Sequence, residues 1–479
     1  MPELPEGLIA VVKQDCPTCR LIVPVLGELR AAGAPLTIFT QDDPAFPPGL
    51  SPVDDSALGA SWSLAIETVP TLLRVEQHRV TSRTEGWQRE AWERVSGVGG
   101  LGAGLPAHRP GCGSRTLEPA VRDVLATRAV EAGETPLRAR PIALGELEDP
   151  IETAFARGWS DGLPVVPPTP ARVLRMLEGT TRAPAEVVAV VPPDYAACTV
   201  EKVAINAVMA GCLPEYLPVV IAAVEAACTD AFNIHGVLAT TYFVGPMVIV
   251  NGPVARAIGM NSGVNVLGQG TRANATIGRA LQLVIRNVGG GRPGEVDRAT
   301  FGHPGKYTFC FAEDEAGSPW EPLSVERGLA PGTSAVTLFA AEGPRAIVDQ
   351  RSRTVESLAA SYAACLRTVP HPKLVGGCDV VLAVSPEHGR LLREAEWSKA
   401  HLREELVRRL MLPGAEVVQG AGGIAEGMPE TFRAGTWPKF APENLLVVHA
   451  GGSAGLFSAI IPGWIGRGGS QPVTREVKP

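Results

Sequence analysis

The side chains whose types and spacing most directly imply chemistry are two thiols, in the run Cys16-Pro17-Thr18-Cys19. A cysteine at a helix start is held as a thiolate by exposed backbone amides and the helix dipole. A second cysteine about one turn further on resolves the mixed disulfide that the first one forms. The same spacing is half of a zinc site, but zinc needs another ligand pair, and no second Cys-x-x-Cys occurs in the chain. A third thiol, Cys112, lies in His108-Arg109-Pro110-Gly111-Cys112-Gly113-Ser114-Arg115. Its glycine neighbours leave it open to attack. Arg109 and Arg115 would favour its thiolate, and Ser114 would donate a hydrogen bond to it. A plain surface cysteine in a loop is the competing account.

The elements around the first pair put it where this chemistry needs it. Residues 8–13 read as a short buried strand running toward Cys16. Beyond it Ile22, Val25, Leu26 and Leu29 share one helical face, with Pro24 kinking the pattern. Residues 36–40 read as a second strand, and Val69-Pro70 leads into another. After Trp87 and Trp92 the run 97–106 is rich in glycine. By composition it is a flexible linker that closes a first domain at residues 1–96, with the linker and Cys-Gly-Ser motif at 97–116. A cysteine tethered in this way is at high effective concentration for exchange with the dithiol.

The Cys-x-x-Cys after a core strand, the kinked helix and the later Val69-Pro70 step together resemble the thioredoxin family. That resemblance implies that Cys16 is the attacking thiol, Cys19 the resolving thiol, and Pro70 part of a cis peptide that docks substrate. The chain departs from the family in the Pro-Thr pair between the cysteines, which leaves the redox potential open. It also departs in the long stretch 41–63, rich in Pro and Asp. Cys112-Gly113-Ser114 resembles the motif of the bacterial UGSC-motif family, in which selenocysteine can take the place of Cys112. Arg115 stands where that motif ends in cysteine, which removes dithiol chemistry internal to the motif. The segments 160–165, Glu201-Lys202, 274–279 and Gly452-Ser453 resemble the large domain of the same family.

Residues 117–479 show alternating strand-like and helix-like runs and no visible repeat. Strands are expected at 187–191, 246–251, 336–340, 380–384 and 445–449, and helices at 199–212, 217–227, 274–287, 355–366 and 391–410. The fold class is α/β: an N-terminal thioredoxin-like domain plus a larger α/β substrate domain of unassigned topology, with a subdomain split near 330 left open. Lys202 falls in the first turn of a helix capped by Thr199, where a cation opposes the dipole. An anion or a catalytic thiol nearby would explain it, and so would plain solvation. The polar, Gly-rich loop 261–271 feeds a helix carrying Arg272, Asn274 and Arg279, a junction suited to a carboxylate or phosphate. Gly268 to Ala273 fits a loose dinucleotide pattern, but the strand before it is short and no acidic residue lies about 20 positions on. His449 and Ser453 sit in a strand-to-loop run whose amides suit an anion. That run also fits Gly-x-Ser-x-Gly, yet no Asp or His follows Ser453, against a hydrolase triad. His303 with Cys310, and Glu313 with Glu315, are weaker acid/base or ligand pairs.

Composition bounds the rest. Of 479 residues, 53 are Gly and 43 Pro, about a fifth together, short of the ~25–30% of disordered low-complexity chains. Aromatics are 5% and the net charge is −7, against nucleic-acid binding by stacking or by a basic surface. The most apolar run, 216–228, is too short and too interrupted to span a membrane, and the N-terminal residues lack a basic n-region and an apolar core. A cytoplasmic location is expected. Nine cysteines are too few for a disulfide scaffold. The leading expectation is a thiol-dependent redox enzyme without cofactor or metal. The dithiol reduces Cys112, which acts on a small anionic molecule, with Ser114 and Lys202 assisting and Arg272, Asn274, Arg279, His449, Ser453 and Pro70 binding. The expected partners are that substrate and an external dithiol or reductase as electron donor, with no nucleic acid and no membrane; a homo-oligomer is left open. The alternative is a hydrolase or lyase confined to the C-terminal domain, whose dithiol domain only maintains thiols. A third reading is a redox-controlled binding module without turnover.

Overall fold

The computed structural model describes residues 4–145, 147–466 and 468–478. The chain is of the mixed α/β class and divides into two compact units. One runs to Thr135 and takes in Thr169–Ala171; the other holds Pro136–Pro168 and the chain from Arg172 on.

In the first unit β1 (Gly7–Val12) leads into α1 (Pro17–Leu21) and α2 (Val23–Ala31). Then come β2 (Leu36–Thr40), β3 (Val53–Asp54), α3 (Gly59–Ser63), β4 (Thr68–Val69), β5 (Thr71–Glu76) and β6 (Arg79–Glu85). The sheet order is β3-β2-β1-β5-β6; β1 pairs parallel with β2 and antiparallel with β5. Central β1 is an apolar run because both of its faces are covered. Pro24 has no N–H to give Arg20, and the helix breaks there into α1 and α2. Ile22, Val25, Leu26 and Leu29 all turn into the core as the periodicity requires.

The Gly-rich run differs from its expected role. After β7 (Trp87–Gln88) and α4 (Arg89–Ser96), the chain does not leave the unit. Glu93 Oε1 accepts the N–H groups of Gly100 and Leu101 at 2.8 and 3.1 Å, and Glu28 Oε2 accepts that of Gly102 at 2.7 Å. Leu101 is buried, and the Trp87 indole N–H donates to Pro106 O at 2.7 Å. Carboxylates and a tryptophan thus fix backbone that composition alone marks as a flexible linker. The unit continues through β8 (His108–Arg109), β9 (Cys112–Gly113) and α5 (Pro119–Glu131), so the division falls after Thr135, not near residue 96.

In the second unit, after short helical segments at Pro150–Ala156 and Pro170–Leu177, come a hairpin of β10 (Val187–Val191) and β11 (Ala196–Thr199), then α6 (Val200–Ala210), α7 (Leu217–Ala227) and α8 (Ile234–Ala239). Two similar runs follow. The first is β12 (Gly245–Asn251), α9 (Arg272–Asn287), β13 (Cys310–Ala312), β14 (Ala335–Ala341) and β15 (Arg345–Val348). After α10 (Val355–Leu366) comes the second: β16 (Cys378–Val384), α11 (Pro386–Glu394), α12 (Lys399–Arg409), β17 (Leu445–His449), β18 (Phe457–Ile465) and β19 (Val473–Glu476). In each run the first strand pairs parallel with the second and antiparallel with the third. The fourth strands are exchanged: β15 pairs with β18, and β19 with β14. Ala341 meets Gly463 where the two runs join. The unit is therefore an internal duplication that the sequence hides. No boundary falls near 330, since β14 pairs along its length with β12.

The sheet curls. Asp314 N–H, just past β13, donates to His449 O at the end of β17 at 2.8 Å, bringing the two edges together. Alternate residues such as Met247, Ile249, Phe311, Phe339, Val381, Val448 and Ile461 fill the inside. The other faces pack under α6, α7 and α9 on one side and under α10 to α12 on the other. The expected helix 391–410 is two helices: Glu396 adopts φ 56°, and Ser398 Oγ accepts His401 N–H at 3.1 Å to start α12.

The packed Gly-rich run makes a testable case. Gly102 has φ 58°, and a Cβ there would stand 2.9 Å from the Trp87 ring. Gly102→Val should cost about 1–3 kcal/mol by overpacking. Limited proteolysis should then cut within 97–106, a run that resists in the parent protein.

Candidate functional site

In the first unit β1 delivers the chain to Cys16, whose sulfur accepts the Cys19 N–H at 3.4 Å as α1 begins. Pro17 follows at the first helical position, where a missing N–H costs nothing. The Val69-Pro70 peptide is cis and buried, and the Cys16 thiol lies 3.5 Å from Val69 O. Against this peptide lies the segment of Cys112. β9 runs antiparallel to β4, with Val69 opposite Cys112 and Thr68 opposite Gly113. Ser114 N–H donates to Glu67 O at 2.8 Å, and Thr18 Oγ1 to Pro110 O at 2.7 Å. Gly111 is required here: a Cβ would come within 2.4 Å of the Thr68 side chain and 2.7 Å of Val69 O. The outcome is a Cys16 Sγ–Cys112 Sγ separation of 2.8 Å.

The three thiols are electrostatically unequal. The side-chain hydrogen bond from Cys19 lowers Cys16 to about 5 against its burial, and one from Cys112 helps. Burial, then the donation to Cys16, pushes Cys19 far up. Burial and the neighbouring Cys16 raise Cys112 as well, against a small opposing pull from Lys13. The electrostatics therefore favour the thiolate on Cys16 over the other two thiols. Cys16 and Cys19 are wholly buried; Cys112 keeps partial exposure. An external sulfur would meet Cys112 first.

Several expected partners of Cys112 are engaged elsewhere. Ser114 Oγ is buried; it accepts Gln41 Nε2 at 2.7 Å and donates to Thr116 Oγ1 at 2.9 Å, whose own proton goes to Ile66 O, so it anchors the segment and gives Cys112 no bond. Arg115 donates to Gln41 O at 2.8 Å and pairs with Glu118, and Arg109 is exposed. Sequence reasoning missed Gln41, which is wholly buried and ties Ser61, Ser114 and Arg115 N–H together. Nothing in its neighbourhood marks it. Thr18, inside the motif itself, was the legible one.

In the second unit most expected binding residues turn out to hold the protein together. Thr199 caps α6 through Lys202 N–H, as the sequence implies, but Lys202 Nζ donates to Ala197 O at 2.7 Å. Its charge favours a Cys198 thiolate, yet burial still pushes Cys198 up to about 12. Arg272 donates to Gly211 O at 2.9 Å. Asn274 exchanges two bonds with the Asn261 backbone, fixing the start of the polar loop. Arg279 makes a fork of two 2.8 Å bonds to Asp161 and also reaches the Leu163 and Pro164 carbonyls. Arg279 is thus consumed by the protein, whereas Arg272 is held only through its Nε. His303 donates toward Ala341 O while Cys310 lies in the core, so that pair is parted.

Two expected polar runs do meet. Gly451 N–H donates to Ser262 O at 2.9 Å, at the end of the curled sheet. Asn251 Nδ2 there donates to both Glu313 at 2.7 Å and Glu315 at 3.0 Å, so these two carboxylates do face one side. His449 is wholly buried; its Nδ1 lies 3.2 Å from Asp314 Oδ2, its Nε2 has no partner, and burial lowers its pKa. Burial also raises Glu313. Ser453 is exposed in a loop that enters strand β18, not the helix a nucleophile elbow needs.

Among the described residues no helix is long and apolar enough to cross a membrane, and no cluster of three or more His, Cys, Asp or Glu is placed to hold a metal. No protein-family model, curated protein or solved structure matches this chain.

Two outcomes check these assignments. Thiolate absorbance near 240 nm should be present at pH 7 and fall on acidification with a midpoint near 5, because the thiolate exists only above the lowered pKa of Cys16. Cys16→Ser should remove that step. Arg279→Leu should lower stability to urea by about 3–5 kcal/mol, since it strands a nearly buried Asp161 carboxylate.

Proposed function

We propose that the chain is a thiol-disulfide oxidoreductase in which a thioredoxin-like dithiol, Cys16 and Cys19, reduces Cys112. The observation that carries this reading is the 2.8 Å approach of the Cys16 and Cys112 sulfurs across a two-residue strand pairing. The β2-β1-β5-β6 strand order around the thiol-bearing helix supports the thioredoxin-like part. The charge order supports the direction, because a low-pKa thiolate is the nucleophile at neutral pH.

The electrons balance as a pair. Cys112 first attacks a substrate disulfide: the substrate S–S bond breaks, one sulfur leaves as a thiol with the Cys112 proton, and the other stays on Cys112 as a mixed disulfide. The Cys16 thiolate attacks Cys112 Sγ, forming the Cys16–Cys112 bond and expelling the substrate thiolate, which takes a proton from solvent. Cys19 then attacks Cys16 Sγ. Its proton passes to the departing Cys112 sulfur, whose raised pKa favours the thiol. Cys112 is restored, the Cys16–Cys19 disulfide remains, and an external dithiol returns two electrons by the same exchange.

Cys19→Ser protein, mildly oxidised, should accumulate an intramolecular Cys16–Cys112 disulfide as its main cross-link, read by mass spectrometry of the unreduced digest. Cys16 left unpaired, or linked only between molecules, would overturn the relay.

A further inference from the structure

The second unit has a cleft of about 540 Å³ that none of the chemistry above uses. One wall is the helix α9; the other is the chain from Gly291 to Tyr307, with Leu238 of α8 also lining it. Gln282 and Arg286 stand on α9 four positions apart, one turn, so they share a face. Arg279, three positions before Gln282, continues that face but is consumed by Asp161.

Arg286 is different from the other cations here. Lys306 is held by Asp297 at 2.7 Å, and Arg279 by Asp161 at 2.8 Å. These two pairs cancel, and both carboxylates lie in the cleft lining. Among the described residues Arg286 finds no ion pair or side-chain hydrogen bond, and its Nε is shut off from solvent without a partner. Gln282 Nε2, one turn away, is likewise buried and unpartnered. A half-buried guanidinium beside an unused amide leaves donors unmet, which costs free energy unless a ligand meets them. The lining itself sums to zero, Asp161 and Asp297 against Arg286 and Lys306; Arg279, behind it, neutralises Asp161 and leaves the charge of Arg286 uncompensated.

The opposite wall is apolar where it faces outward. Phe301 is 85% exposed and Tyr307 46% exposed, and Phe301 rests edge-on against Phe243 at 6.0 Å. A large aromatic side chain so exposed at the rim of a polar cleft is a surface for a ligand body. His303 does not add charge: its Nδ1 accepts Gly305 N–H at 3.2 Å and its Nε2 faces Ala341 O at 3.0 Å, which fixes a neutral ring.

We propose that this cleft binds a small organic monocarboxylate with an apolar or aromatic body, its carboxylate on Arg286 and its body against Phe301 and Tyr307. A planar guanidinium takes a carboxylate as a two-bonded fork, here through the two Nη groups of Arg286. A single free positive charge matches a monoanion. A phosphate dianion would bring a second negative charge toward Asp161 and Asp297. The assignment is independent of the thiol relay, since none of its residues belongs to the first unit.

The test is calorimetric titration of the full chain with benzoate and hexanoate, with benzyl alcohol and inorganic phosphate as comparisons. Saturable binding of the carboxylates, weaker binding of the alcohol and of phosphate, and a fall of about tenfold or more in affinity in Arg286→Met are expected. Arg286→Lys should keep the charge, lose the fork and fall between the two; it also serves if the Met variant does not fold. Absence of saturable carboxylate binding, or equal affinity in the Arg286 variants, would overturn the site. Phosphate binding as tightly as benzoate would overturn the monocarboxylate assignment.

Discussion

The first unit depends on one backbone pairing, that of Thr68–Val69 with Cys112–Gly113. A strand of two residues has little stability of its own, so its anchors matter. Thr18 reaches Pro110, Ser114 N–H reaches Glu67, and Thr116 Oγ1 reaches Ile66 O, while Gln41 ties Ser114 and Arg115 to the end of β2. Each such bond contributes only about 1 kcal/mol net. Spread over both sides of Cys112, they hold its sulfur at the one place where the Cys16 thiolate can use it. The same pairing buries Cys16, so the charge on that sulfur needs the donors of Cys19 and Cys112 to survive. Position and ionisation therefore have a common origin.

In the second unit the organising constraint is closure of a duplicated sheet. Two runs of four strands, with helices after the first strand, exchange their fourth strands, so neither run completes its sheet without the other. The curled interior is apolar, and polar groups collect at the ends of the parallel strands. At one end most of them engage one another: Asn251 with Glu313 and Glu315, His449 Nδ1 with Asp314, and Lys399 with Glu313 and Glu326, while His449 Nε2 and Asn251 Oδ1 have no partner among the described residues. A buried charge must be paired or it costs several kcal/mol, which is why these groups are poor candidates for binding anything else. The cations left out of such pairs are the informative ones, and Arg286 is one of them.

Much of this was legible in the residues. The strand before Cys16, the break at Pro24, the Thr199 cap and the strands 336–340, 380–384 and 445–449 follow from local rules of apolar period and capping. Those rules act within a few residues, so one chain suffices to read them. The Gly-rich run was misread because composition reports what a backbone can do, not which carboxylate lies within 3 Å of it. The duplication was invisible because the two runs share pairing geometry while their side chains differ: Asn251 ends β12, whereas the chain passes from Val384 of β16 into Ser385.

By itself the sequence determined the identity of the thiols, their one-turn spacing, the α/β class and the helix carrying Arg272, Arg279 and Arg286. Tertiary structure decided which of these groups are free. It turned Arg279 and Lys202 inward to carbonyls and carboxylates, tied Ser114 to Gln41 instead of Cys112, and brought Cys112 to Cys16 across 96 positions of chain. The physical reason is that type and local spacing are properties of the chain, whereas pairing and burial depend on neighbours distant in sequence. A charged or nucleophilic group takes its role from those neighbours.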